Sequence, residues 1–111
     1  MNIKKEAKEG YIIVKVNGRL DATSAPDYET QCSSYLENNE TKMIIDLEGL
    51  EYISSAGLRS ILTIGKKIKS LKGKYIFCNL QPMVADVFKI SGFNAIFPVY
   101  SSLEDAIEEM Q

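Results

Sequence analysis

Two apolar runs, Met43-Ile44-Ile45-Asp46-Leu47 with a carboxylate near its end and Tyr75-Ile76-Phe77-Cys78, constrain this chain more than any other feature. A run that does not alternate with polar residues suits a strand covered on both faces. Between the two runs, Leu58, Ile61, Leu62, Gly65 and Ile68 recur at helical spacing, in a pattern that closes near Gly73. Strand, helix, strand is the signature of a parallel sheet with helical crossovers.

The same alternation extends to both ends. Ile3 to Ala7 and Tyr11 to Val16 read as two strands joined through a turn at Lys8-Glu9-Gly10. Thr23-Ser24-Ala25-Pro26 reads as a helix start with a hydroxyl cap and an early proline. Ala25, Tyr28, Cys32, Tyr35 and Leu36 keep helical spacing, and Asn38-Asn39 ends the helix. The stretch from Glu48 to Gly57 reads as a loop. Pro82 and Gly92 bracket a third helix with Val84, Val87 and Phe88 inward, and Ile96 to Val99 reads as a last short strand. Ser101 with Glu104 has the form of a capping box ahead of Leu103, Ala106, Ile107 and Met110. The predicted fold is α/β: one domain over residues 1–111, with a mixed, mostly parallel sheet of about five strands and about four helices.

Composition narrows the chemistry. The chain has no histidine, which excludes Ser-His-Asp and Cys-His nucleophile systems, histidine phosphorelays and His-based metal sites. Cys32 and Cys78 sit in apolar surroundings far apart in sequence and read as reduced core residues of a cytoplasmic protein. A net charge of −2 predicts no bulk attraction to nucleic acid or to anionic lipid. No apolar run approaches the ~18 residues of a membrane span. P-loop, dinucleotide-binding and nucleophile-elbow motifs are absent, so the expectation is a protein that is not an enzyme and carries no cofactor.

Three features remain as candidates. Ser54-Ser55-Ala56-Gly57 lies between a strand and a helix, where unpaired N–H groups and the helix dipole favour an anion. A serine there either caps the helix or offers a hydroxyl for phosphorylation. Asp21 and Asp46 both follow β-like segments. They suit turn hydrogen bonding or, on a shared sheet edge with Ser55, acid–base work or Mg²⁺ binding. From Arg59 to Ala85 there are six basic residues and no acidic one, whereas Ser101 to Gln111 holds four acidic residues and no basic one. Such a basic stretch reads as a solvated face or as one directed at an acidic protein surface.

Ile44 to Leu58 resembles the central motif of the STAS domain, in particular of bacterial anti-sigma factor antagonists. That motif is an apolar strand ending in Asp, a loop with an aromatic residue, then Asp-Ser-Ser/Ala-Gly-Leu. Gly18-Arg19-Leu20-Asp21-Ala22 is similar to the family's Gly-x-Leu/Ile-Asp signature. Ser91 to Tyr100, with Ser102-Leu103-Glu104-Asp105-Ala106, is similar to its closing segments.

The resemblance implies a binding module that engages an anti-sigma factor serine kinase and so frees a sigma factor. Phosphorylation by that kinase switches it off, and a metal-dependent serine phosphatase reverses the mark. Carried onto this chain, the modified residue is Ser55, with Asp21, Ile53, Ser54, Ala56, Gly57 and Leu58 around it. Ser54 stands where many members have Asp, which offers a second hydroxyl and leaves the choice between Ser54 and Ser55 open. STAS domains also occur beside lipid or anion transporters or as ligand-binding modules, and in such a role Ser55 would be a helix cap only.

Overall fold

The computed structural model describes residues 1–111. Its elements are β1 (Asn2–Ala7), β2 (Ile12–Leu20), α1 (Ala25–Glu37), β3 (Lys42–Asp46), β4 (Leu50–Ile53), α2 (Ser55–Ser70), β5 (Lys74–Cys78), α3 (Pro82–Ile90), β6 (Val99–Tyr100) and α4 (Leu103–Met110). A short 3₁₀ turn, Phe93–Ala95, follows α3. The sheet order is β1-β2-β3-β5-β6, with β4 beside β2. Only β1 is antiparallel to its neighbour, so the mixed, mostly parallel sheet is as predicted.

Period-2 alternation sorts the side chains onto two faces. Ile12, Val14 and Val16 of β2, Met43 and Ile45 of β3, and Tyr75 and Phe77 of β5 pack with α1, α2 and α3 in a core of 22 buried residues. The intervening Ile13, Ile44, Ile76 and Cys78 meet Ala106 of α4 in a second cluster of five. Both faces of β3 and β5 are covered, which is why their apolar runs are unbroken. On the larger side, Tyr75, Phe77, Phe88, Phe93 and Phe97 form a chain of tilted and edge-on ring pairs with centroids 4.8–5.5 Å apart. The Tyr28 and Tyr75 hydroxyls lie 2.6 Å apart inside this core. Cys32, beside them, is unpaired, and burial pushes its thiol up to about 12.

The sheet has six strands, because the segment read as a loop contains β4. Gly18 explains how it fits. Its φ of 97° and the register shift between Gly18 and Arg19 mark a bulge in β2. Before the bulge β2 pairs with β3, and after it β2 pairs with β4, Leu20 opposite Ile53. The ends of three other elements also differ from expectation. Phe97 and Pro98 belong to the connection, and the last strand is Val99–Tyr100, in register with Phe77 and Cys78. That pairing delays the next helix, so its cap is Ser102, whose Oγ accepts from the Asp105 N–H at 3.1 Å, rather than a Ser101–Glu104 box. At α1, Ser24 makes no side-chain cap, for its hydroxyl donates to the Arg19 carbonyl at 2.8 Å.

Candidate functional site

The carboxyl ends of β2 and β4 meet the amino end of α2, and β4 delivers the serine pair there. The Ser54 N–H donates to the Leu20 carbonyl at 3.0 Å, which continues the β2–β4 ladder by one step and fixes where α2 begins. Ser54 then caps the helix. Its backbone is extended (φ −103°, ψ 176°), its Oγ accepts from the Gly57 N–H at 3.4 Å, and its carbonyl accepts from the Leu58 N–H at 2.9 Å. Ser55 is the first helical residue, is exposed, and its hydroxyl makes no hydrogen bond within the chain. The capping role that sequence alone left open for either serine thus belongs to Ser54.

Packing holds the rest of the motif in place. Ile53 is buried, while Ala56 and Leu58 are half-buried around the serine. A Cβ on Gly57 would stand 2.5 Å from the Leu20 carbonyl oxygen and 2.9 Å from Ile53 Cγ1, so only glycine allows the first turn of α2 to sit this close to β2. Ser60 is fully buried, and its hydroxyl donates to the Gly57 carbonyl at 2.6 Å. The first turn of α2 has no acidic residue.

The two aspartates do different work from one another. Asp21 Oδ1 accepts from the N–H groups of Thr23 and Ser24 at 3.0 and 3.3 Å, closing the turn into α1. Arg19 Nε lies 3.8 Å from its other oxygen. Desolvation pushes the Asp21 carboxyl up, but the Ser24 and Thr23 hydrogen bonds and the Arg19 charge outweigh it and hold the group below the ordinary 3.8. Asp46 is buried at the end of β3. Its Oδ1 accepts from the Glu48 N–H at 3.1 Å and from Asn79 Nδ2 at 3.2 Å, so it ties β3 to the turn after β5. No group of three or more acidic or cysteine side chains comes together as a metal-binding set.

Arg19 was not singled out by its sequence context. Its guanidinium lies over the Tyr52 ring, 4.1 Å from the centroid, and the two residues are register partners across β2 and β4. A contact of this kind needs the β2–β4 pairing, which local sequence does not disclose. It sets one cation beside Asp21 and over the ring of Tyr52, two residues before the serine pair.

No helix is long and apolar enough to cross a membrane. Residues 2–106 match the STAS domain. The Bordetella bronchiseptica protein BtrV, assigned as an anti-sigma factor antagonist, is 36% identical over 106 residues, covering 96% of this chain and 91% of that one. The anti-sigma F factor antagonist of Paenibacillus polymyxa is 26% identical, covering 100% and 96%. A solved structure from Thermotoga maritima, also assigned as an anti-sigma factor antagonist, superimposes with a TM-score of 0.92 at 22% identity, covering 97% of this chain and 93% of that one. The strand-delivered serine pair, the glycine packed on β2 and these matches lead to one conclusion: the chain belongs to the STAS domain family.

Proposed function

We propose that this protein is an anti-sigma factor antagonist, a cytoplasmic regulatory module rather than an enzyme, that binds a serine-kinase anti-sigma factor and is released by phosphorylation at Ser55. The observation that carries the reading is the division of labour between the serines. Ser54 Oγ is engaged as the α2 cap, whereas Ser55 Oγ is exposed and unengaged one residue on. The partner would supply ATP and its own catalytic base. The Ser55 oxygen takes the γ-phosphoryl group, the hydroxyl proton passes to that base, and ADP leaves. A metal-dependent serine phosphatase would restore the hydroxyl.

Charge is the switch. A phosphoserine carries about −1.5 to −2 charges, which the amino end of α2 tolerates in the free domain. Covered by a partner without a matching cation, the same charge costs several kcal/mol, and each 1.4 kcal/mol is about tenfold in affinity. The half-buried apolar rim of Ala56 and Leu58 suits coverage by such a partner.

The test uses ATP and the anti-sigma kinase of the same host, followed by intact-mass measurement. One added phosphoryl group, kept in Ser54→Ala and lost in Ser55→Ala, is the expected result. Ser55→Asp should weaken kinase binding by about a hundredfold or more. Phosphorylation surviving in Ser55→Ala, or undiminished affinity of Ser55→Asp, would overturn the reading.

A further inference from the structure

The far end of α2 borders a second, unrelated site. A groove of about 440 Å³ runs between the last turns of α2, the start of β5 and the Ile96-Phe97-Pro98 connection. Buried Ile68, Tyr75 and Phe97 back it, Leu62, Ile96 and Pro98 give it accessible apolar surface, and the exposed Lys66 and Lys69 line it as well. By helix geometry it lies roughly 16 Å along α2 from Ser55, so the proposed phosphorylation does not involve it.

Three observations give the groove a chemical preference. No carboxylate lines it. The two ion pairs of the chain involve Lys5 and Arg19, and the lysines that donate hydrogen bonds are Lys5, Lys67 and Lys74. Lys66 and Lys69 line the groove, and neither is hydrogen-bonded through its ammonium or ion-paired within the chain. Ile96, which lines the groove, is 57% exposed and so offers it apolar surface.

The strand edge adds a donor. In a parallel ladder, alternate residues turn their N–H groups to alternate neighbours. The Phe77 and Asn79 N–H groups reach the β6 side, donating to Pro98 and Tyr100 carbonyls at 3.0 and 3.3 Å. Tyr75 faces that same side two residues earlier, where β6 has no residue opposite it and the groove begins.

We propose that this groove binds a small organic anion with an apolar body, its carboxylate or phosphate head held by Lys66 and Lys69 and its body lying on Leu62, Ile96 and Pro98. Lysine stems lie along apolar surface while their heads stay wet, which suits a ligand that is apolar at one end and charged at the other. The same chemistry is shared by a free acid and by an anionic lipid.

The experiment is an amide NMR titration of the whole chain with decanoate, decanol and inorganic phosphate as probes. Decanoate should shift Gly65, Lys69, Tyr75, Ile96 and Phe97 saturably, while decanol and phosphate each bind at least about tenfold more weakly. Lys66→Gln with Lys69→Gln should weaken decanoate by about fivefold to tenfold, leaving the signals of Ile13 and Ile44 in the second cluster unmoved. Ile96→Asp, at an exposed position, should abolish binding. Co-sedimentation with phosphatidylglycerol vesicles that the double variant loses would identify a lipid headgroup as the source; saturable decanoate binding without co-sedimentation would identify a free anion. Scattered, unsaturating shifts, equal affinity for decanoate and either control, or full affinity in the double variant would overturn the proposal.

Discussion

Helices α2 and α4 begin alike and then diverge. Each is entered from an extended serine whose Oγ accepts the N–H three residues on, Gly57 for Ser54 at 3.4 Å and Asp105 for Ser102 at 3.1 Å. The first turn of α4 carries Glu104 and Asp105, so its own carboxylates answer the helix dipole. The first turn of α2 carries no acid. Packing differs as well, since α2 presses its third residue onto the β2 backbone, while α4 lies over the smaller cluster. A serine cap therefore says nothing by itself about function. The two ends are separated by the charge left unanswered and the exposed hydroxyl beside it.

The largest effect should come from the packing half of that contrast. Gly57→Ala brings a methyl group against the Leu20 carbonyl, which is backbone and cannot turn aside. A loss of about 1–3 kcal/mol in urea unfolding is expected, with the start of α2 displaced. Undiminished stability would show that α2 is not seated on β2 as described.

Removing the caps tests their equivalence. Ser54→Ala should cost about 1 kcal/mol, and Ser102→Ala about half of that, because Glu104 and Asp105 still meet the α4 dipole. Thermal unfolding of the two variants measures the difference directly, and an equal loss in both would erase the contrast.

Adding charge gives a smaller effect of opposite sign. Ser55→Asp should stabilise the free domain by about 0.3–1 kcal/mol, an effect that fades as salt is raised. The same substitution is expected to weaken the kinase complex, so stability and binding should move in opposite directions. A destabilised Ser55→Asp at low salt would remove the electrostatic account of the switch.

The smallest effect is the pH dependence contributed by Asp21. Its folded carboxyl titrates below the ordinary 3.8. A lowered folded value means stabilisation that is fully present above the unfolded value and lost as pH falls through the folded one. Asp21→Asn should thus be less stable than the parent at neutral pH, with the gap closing below about pH 3.8 in acid titrations followed by circular dichroism. A gap that persists unchanged into acid would place the effect outside the Asp21 carboxylate.

Much of this arrangement was legible from residue order. The apolar runs at Met43 to Ile45 and Tyr75 to Cys78 required two-sided coverage, and β3 and β5 receive it from α1, α2 and α3 on one face and α4 on the other. Leu58, Ile61 and Ile68 marked the buried or half-buried stripe of α2. By contrast, β4 has four residues and one neighbour in the sheet, β2, some thirty positions back in the chain. A segment that short has too little periodicity to stand out, and its pairing depends on a bulge at Gly18 that no local pattern announces. The late start of α4 has a similar cause, for it results from Tyr100 pairing with Cys78. Arg19 over Tyr52 becomes visible only once β4 is in place.

Residue order by itself determined the alternation of strands and helices, the exclusion of histidine chemistry and the choice of Ser54-Ser55-Ala56-Gly57 as the segment to watch. Those are local properties, set by side-chain type and spacing. Tertiary structure decided which serine caps and which stands free, that Asp21 and Asp46 close turns, and that Lys66, Lys69 and Tyr75 line one groove. These depend on hydrogen bonds between segments far apart in the chain. The Ser54 N–H bonded to the Leu20 carbonyl is the plainest case: it fixes the first residue of α2, and so leaves Ser55 exposed.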